Sequence, residues 1–459
     1  MKRKPLKYYS TNLKSTEVSF SEALLKGLAP DGGLYLPSSL PLVSASELES
    51  LSSKEYYEIA FIILNRIIGD EIPKDELKKL CADAYNFDVP LEKVYERKYI
   101  MRLDQGPTAS FKDFAARMMS RLMQYYLSIR DQHLTVLTAT SGDTGSAVAN
   151  AFYELNNINA IILFPASEVT PMQRKQMTTL HNNICVIAID GKFDDCQKLV
   201  KTAFLDPALS GHSLTSANSI NIGRLLPQSV YYFYSYSKLA ANIDEKAIFS
   251  VPSGNFGNLM GGLIAKKMGL PVEQFIISTN DNNEVPEYLY TGSYKSITPS
   301  KNCISSAMNV GHPSNLARII AFYGGVMDES GNILKAPDLE KMREDFFAVS
   351  VTDEETRNII GELYRKYDIL LEPHGAVAWK GIREYFRLNK RSLSGKQLCI
   401  SLETAHPAKF PEELKQITNS KPPLPLSLEG LEKKDENYIT LENSYDLLKK
   451  FILTNNIKA

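Results

Sequence analysis

Leu134-Thr135-Val136-Leu137-Thr138-Ala139-Thr140-Ser141-Gly142-Asp143-Thr144-Gly145 joins an apolar, β-branched run to a glycine turn, and the residues after it continue with a helical pattern. A short apolar strand that ends in glycine and feeds a helix is the unit of a parallel sheet with crossover helices. Apolar runs of the same kind recur at 160–164, 185–189, 247–251, 275–278 and 398–402. The fold class is therefore α/β, with two open, twisted, mostly parallel-sheet domains and a cleft between them. A long helical region at 194–238, broken around Pro207 and Pro227, separates the third run from the fourth and sets the domain boundary near its end.

Upstream, amphipathic stretches at 19–26 and 55–68 flank the turn Pro30-Asp31-Gly32-Gly33 and the Pro-rich 37–41. They predict a mainly helical N-terminal subdomain. The expected units are 1–98, N-terminal; 99–238, the smaller α/β domain; 239–415, the larger; and 416–459, a C-terminal extension. In that extension, 421–434 reads as a surface linker to a last helix near 445–452.

A chain of 459 residues is too long for one ordinary core. Its 52 Lys and Arg against 53 Asp and Glu leave a net charge of −1, so no global field draws in nucleic acid or an anionic membrane. The basic start is followed by the polar 8–17 rather than by the apolar core of a secretory signal, and no run reaches a membrane span of roughly 18 apolar residues. The expectation is a cytoplasmic protein that acts on a small molecule, as monomer or homodimer. Cys81, Cys185, Cys196, Cys303 and Cys399 are widely spaced and form no C-x-x-C pair, and the six histidines lack ligand spacing, so neither disulfides nor a structural metal is expected.

A second glycine loop, Ser253-Gly254-Asn255-Phe256-Gly257-Asn258, follows the run at 247–251. Like 140–145, it brings backbone close to a ligand and opens a helix whose first amides point outward at the positive end of the dipole. An ordinary capped turn explains either loop alone; two in one chain point to two anions. Neither has the G-x-G-x-x-G spacing of a dinucleotide site or the Lys-Ser/Thr pair of a P-loop, so the anions are small.

The third element is Gly106-Pro107-Thr108-Ala109-Ser110-Phe111-Lys112-Asp113, where a turn delivers Lys112 to a helix start. That place disfavours a cation, and a lysine able to lose its proton is a nucleophile and a base.

One amine and two small-anion loops together suit pyridoxal 5'-phosphate and an amino-acid substrate. From about Tyr8 to Pro411 the sequence resembles the threonine synthase family, in its longer form with an extended N-terminal part, within the tryptophan-synthase-like, fold-type-II pyridoxal-phosphate enzymes. The resemblance rests on Gly27 through Tyr35, Pro107 through Asp113, Ser253 through Gly257, and Leu402 through Phe410.

The resemblance implies that Lys112 carries the cofactor as a Schiff base and that Ser253, Gly254, Asn255, Phe256, Gly257 and Asn258 bind its phosphate. It implies further that Thr140, Ser141, Gly142, Asp143 and Thr144 receive the substrate carboxylate, with Asp143 also near the cofactor's 3-hydroxyl. Thr404 would face the pyridine nitrogen; apart from the resemblance it reads as a helix cap. The implied reaction converts O-phospho-L-homoserine and water to L-threonine and phosphate, the last step of threonine biosynthesis. A related lyase or dehydratase giving 2-oxobutyrate, and a non-catalytic cofactor-binding relative, are the alternatives. Asn218, Ser219, Asn221 and Arg224, in the matching segment 216–224, are the candidates for the substrate phosphate. Arg174 and Lys175 read as a solvated helix face, and His374 in Glu372-Pro373-His374-Gly375 as structural.

Overall fold

The computed structural model describes residues 6–389 and 395–454; the basic start at 1–5 lies outside them. Two sheets organise the chain. The smaller has five parallel strands in the order Ile439–Glu442, Ile184–Asp190, Ile158–Pro165, Leu134–Ala139 and Leu214–Thr215. The larger has six, in the order Phe346–Ser350, Val272–Thr279, Ala247–Pro252, Cys399–Glu403, Lys98–Arg102 and Leu91–Tyr95, parallel except for the last pair.

All six expected runs are strands of these sheets. Their residues explain why: Leu134–Ala139 and Ala247–Pro252 are buried at every position, as strands covered on both faces must be. Trp379, Ile382 and Phe386 of the helix Pro373–Leu388 line one face of the larger sheet. The last helix, Tyr445–Thr454, packs Leu448 and Ile452 against Leu199 and Ile187 of the smaller unit.

Two pairings differ from the expected units. Lys98–Arg102 lies beside Cys399–Glu403 in the larger sheet, with Arg102 opposite Glu403, although residues from 99 onward were assigned to the smaller domain. The segment expected as a plain extension supplies Ile439–Glu442 as an edge strand of the smaller sheet. Both are pairings across about 250 or more residues, and a strand's own pattern carries no record of such a partner.

The N-terminal part braces the helix that begins at Lys112. Tyr56, Tyr85 and Phe114 pack with ring centroids 5.0–6.2 Å apart, and Arg117 donates to the Ala84 carbonyl at 2.7 Å. The helix Phe20–Lys26 starts at a capping box of Ser19 and Glu22, which satisfies two otherwise unpaired amides. Among the described residues, no helix is long and apolar enough to cross a membrane.

The helix Gly257–Lys267 lies directly on the short helix Leu226–Ser229. A Cβ at Gly261 would come within 2.7 Å of the Gln228 backbone, so only glycine permits this approach. Gly261→Ala is expected to destabilise the protein by about 1–3 kcal/mol, seen as a lower Tm, because backbone rather than a pliable side chain must yield.

Candidate active site

Lys112 opens the helix Lys112–Arg130 after a loop that folds back on the first turn. Thr108 donates its amide and hydroxyl to the Asp113 carboxylate at 2.9 and 2.6 Å, which closes the loop. The loop is also stitched to the segment after strand Cys399–Glu403. Phe111 N donates to Thr404 O at 2.9 Å, His406 N donates to Ala109 O at 3.0 Å, and Ser110 bridges Ala405. These bonds hold Lys112 and Thr404 on neighbouring backbone although they lie nearly 300 residues apart.

Burial pushes the Lys112 amine down to about 8; Asp143 opposes this, while Arg224 and Lys409 push the same way. Asp143 is itself buried, which alone would raise its carboxyl, but Lys409 and Lys112 outweigh that and hold it well below the usual carboxylate range. Its Oδ1 accepts from Lys409 Nζ at 2.8 Å and from Gln173 Nε2 at 3.0 Å. Lys409 also donates to the Thr108 carbonyl at 2.7 Å. One buried ammonium thus joins the Lys112 loop, the 140–145 loop and the segment 404–409.

Gln173 joins two structures through one amide. Its oxygen accepts from Thr170 in the capping box of the helix Pro171–Thr178, and its nitrogen holds Asp143. Gly142, at φ +136°, passes so near that a Cβ would lie 2.5 Å from this amide, so the position requires glycine. Thr140 turns its hydroxyl into the loop, accepting from the Gly142 and Gly145 amides at 2.9 and 2.8 Å. Ser141 is exposed and Thr144 half-buried at the mouth.

The second loop opens the helix Gly257–Lys267 with Phe256 in the left-handed region at φ +61°. Among the described residues, the backbone amides of Gly254, Asn255, Phe256 and Gly257 find no acceptor within the protein. Asn255 is held from the opposite side: its Oδ1 accepts from the Ser314 amide and hydroxyl, each at 2.9 Å, and its carbonyl accepts from Asn315 Nδ2 at 2.9 Å. Ser253 donates to Val251 O, and Asn258 to Pro252 O, so both side chains shape the loop.

Arg224 is buried, with Nη1 on Ala217 O at 2.6 Å and, among the described residues, Nε unpaired; burial pushes it down to about 10 against the pull of Asp113. The buried Asn218 Oδ1 is likewise unpaired. Asn221 differs. Its amide donates to Leu24 O and Ser216 O and accepts from Gly223 N, so this side chain is committed to holding its own segment. Thr404 donates to Glu372 Oε1 at 3.4 Å, and Glu372 in turn contacts His374 Nδ1.

Several residues in this neighbourhood carry no role in the sequence reading. Lys409 stands inside the matching segment 402–410, but a lone lysine there signals nothing without Asp143. Glu403 is wholly buried beside Glu372, and burial and that neighbour raise its carboxyl well above the ordinary range despite Arg102 at 3.3 Å. Arg174 and Lys175 do not hang in solvent. Arg174 pairs with Glu436 at 2.7 Å, and Lys175 donates to the carbonyls of Glu432 and Lys434, which ties the tail to the smaller unit.

Three family models together match nearly the whole chain: the threonine synthase N terminus at 7–85, the pyridoxal-phosphate dependent enzyme at 89–402 and the threonine synthase C-terminal model at 376–452. A threonine synthase from Serratia marcescens is 37% identical over 449 residues, 98% of this chain and 99% of the relative. That from Escherichia coli K12 is 38% identical over 424 residues, 92% of this chain and 94% of the relative. The crystal structure of PLP-bound threonine synthase from Brucella melitensis superposes with a TM-score of 0.91 at 36% identity, covering 99% of this chain and 100% of that one. The yeast threonine synthase structure gives 0.89 at 30% identity, covering 99% of each.

Pyridoxal phosphate fits the residues present: an amine that sheds its proton easily answers the aldehyde, and four unpaired amides at a helix start answer the phosphate. A lysine with its pKa lowered is half neutral at the lowered value and mostly neutral, and so reactive, above it. In cofactor-free protein, trapping of Lys112 by a small aldehyde with borohydride is expected to rise around pH 8 rather than near 10.5, read by peptide mass spectrometry. A rise only above pH 10 would contradict this placement of the amine.

Proposed function

Because the chain belongs to the threonine synthase family, we propose how its own residues divide that family's work. It is a pyridoxal-phosphate-dependent carbon-oxygen lyase that converts O-phospho-L-homoserine and water to L-threonine and phosphate. Bound pyridoxal phosphate supplies an electron sink that makes hydrogens at the substrate Cα and Cβ acidic enough to move. The remaining work falls to the protein.

Lys112 holds the cofactor through its side-chain nitrogen and is released when the substrate amine takes that place. Leaving that bond frees it as an unprotonated amine, the state a base needs, and burial lowers its hold on a proton, to a pKa of about 8. It removes protons at Cα and Cβ and returns them at Cγ and Cα, while phosphate leaves Cγ and water adds its hydroxyl at Cβ and gives its other proton to the departing phosphate. The observation that carries this reading is the position of Lys112: an easily deprotonated amine, on a loop bonded to the Thr404 segment and facing Asp143.

The amides of 254–257 take the cofactor phosphate, with Ser253 and Asn258 holding the loop in shape. The substrate carboxylate meets Ser141, Gly142 and Thr144 at the mouth of the first loop. Thr140 and Asp143 support that loop from behind, Asp143 through Lys409. Thr404 presents its hydroxyl to the ring nitrogen. Arg224, with the unpaired Nε, and Asn218 and Ser219 beside it receive the substrate phosphate, and Asn221 positions their segment.

Lys112→Ala is expected to abolish the absorbance of the covalently held cofactor and turnover together; a variant that keeps both overturns the assignment. Wild-type protein supplied with O-phosphohomoserine is expected to yield threonine and phosphate in equal amounts, and 2-oxobutyrate as the main product would indicate the related lyase. Arg224→Met is expected to raise KM for O-phosphohomoserine roughly 10- to 100-fold with a smaller effect on kcat, the size of one lost charged hydrogen bond.

A further inference from the structure

Arg318 lies in the helix Leu316–Phe322, wholly buried, and every acceptor it has is neutral. Nε donates to Tyr35 O at 3.1 Å, Nη1 to Ser219 O at 2.8 Å and to Asn315 Oδ1 at 2.7 Å, and Nη2 to Ile220 O at 2.6 Å. Among the described residues none of its bonded partners is a carboxylate, and burial pushes it down to about 9. A buried cation with only carbonyl partners is costly, so a negative charge from outside the chain is the natural complement.

The bonds of Arg318 lead to the 253–258 loop. Asn315, which accepts from Arg318, donates to the carbonyl of Asn255 in the loop whose amides lack acceptors. A Cβ at Gly257 of that loop would lie 3.7 Å from both Asn315 Nδ2 and Ser219 Cβ, so loop, asparagine and the 216–224 segment are in contact. Arg318 therefore holds Ser219 and Ile220 through Nη1 and Nη2 and, from Nη1 again through Asn315, the 254–257 loop. Its third contact, Tyr35 O, belongs to the N-terminal part.

From this geometry we propose that Arg318 is a positioning residue whose charge answers the cofactor phosphate and whose fork transmits phosphate binding to the 216–224 segment that receives the substrate. This rests on the reading of 253–258 as the cofactor-phosphate loop. It predicts a penalty confined to ligands that carry the phosphate, because a purely structural role would weaken every ligand alike.

Affinities of cofactor-free protein for pyridoxal phosphate and for pyridoxal, which lacks the phosphate, test it by fluorescence quenching. Wild-type protein is expected to prefer pyridoxal phosphate strongly; no preference would overturn the reading of the loop, and the role of Arg318 with it. With that preference in hand, Arg318→Met is expected to cut it about tenfold while leaving pyridoxal binding nearly unchanged, and to raise KM for O-phosphohomoserine. An equal loss for both ligands, or an undiminished preference, overturns the inference alone. If Arg318→Met does not fold, Asn315→Ala decides: it keeps the cation but cuts its link to Asn255, and is expected to lower the preference about threefold, whereas an unchanged preference overturns the proposal.

Discussion

Lys409 Nζ lies 2.8 Å from Asp143 Oδ1 and 2.7 Å from the Thr108 carbonyl, with its side chain fully out of water. Three stretches of chain that are far apart in sequence meet at this nitrogen: the loop before Lys112, the start of the helix Asp143–Phe152, and the turn after strand Cys399–Glu403. Removing one partner of a buried pair strands the other charge, at a cost of about 3–5 kcal/mol, so the pair is strongly selective for this one arrangement. The position of Lys112 relative to the 140–145 loop depends on it.

The second organising constraint is charge. Lys409, Arg224 and Arg318 are buried, Lys112 is partly buried, and Asp143 is ionised beside Lys112 and Lys409, whereas burial raises the nearby Asp113 carboxyl toward its neutral form. A cleft with this surplus of buried positive charge is suited to dianions, and the reaction brings two: the phosphate of the cofactor and that of the substrate. The Lys112 amine is lowered chiefly by its burial, with Arg224 and Lys409 adding to that effect against the pull of Asp143.

The scaffold keeps these groups rigid by indirect means. Gln173 caps a helix with its oxygen and holds Asp143 with its nitrogen, Asn315 supports one loop while Arg318 supports Asn315, and the aromatic cluster around Phe114 fixes the helix that Lys112 begins. The tail contributes in the same way. Glu436 and the carbonyls of Glu432 and Lys434 grip the helix Pro171–Thr178, which carries Gln173.

Much of this was legible in the chain itself because it is local. The apolar β-branched runs declared the strands, the glycines at 142, 254 and 257 declared the turns that open two helices, and the turn before Lys112 declared a lysine at a helix start. Each of these depends on a few neighbouring residues and on backbone physics that any such segment shares. What the chain could not declare is who meets whom. The pairing of Lys98–Arg102 with Cys399–Glu403, the placement of Ile439–Glu442 in the smaller sheet, Lys409 on Asp143, and Arg318 between two loops are long-range contacts. A charged residue reads the same in a sequence whether it ends on the surface or buried. Only the folded arrangement, by removing water and choosing its partners, decides that Lys409 ties the site together and that the Lys112 amine can be neutral.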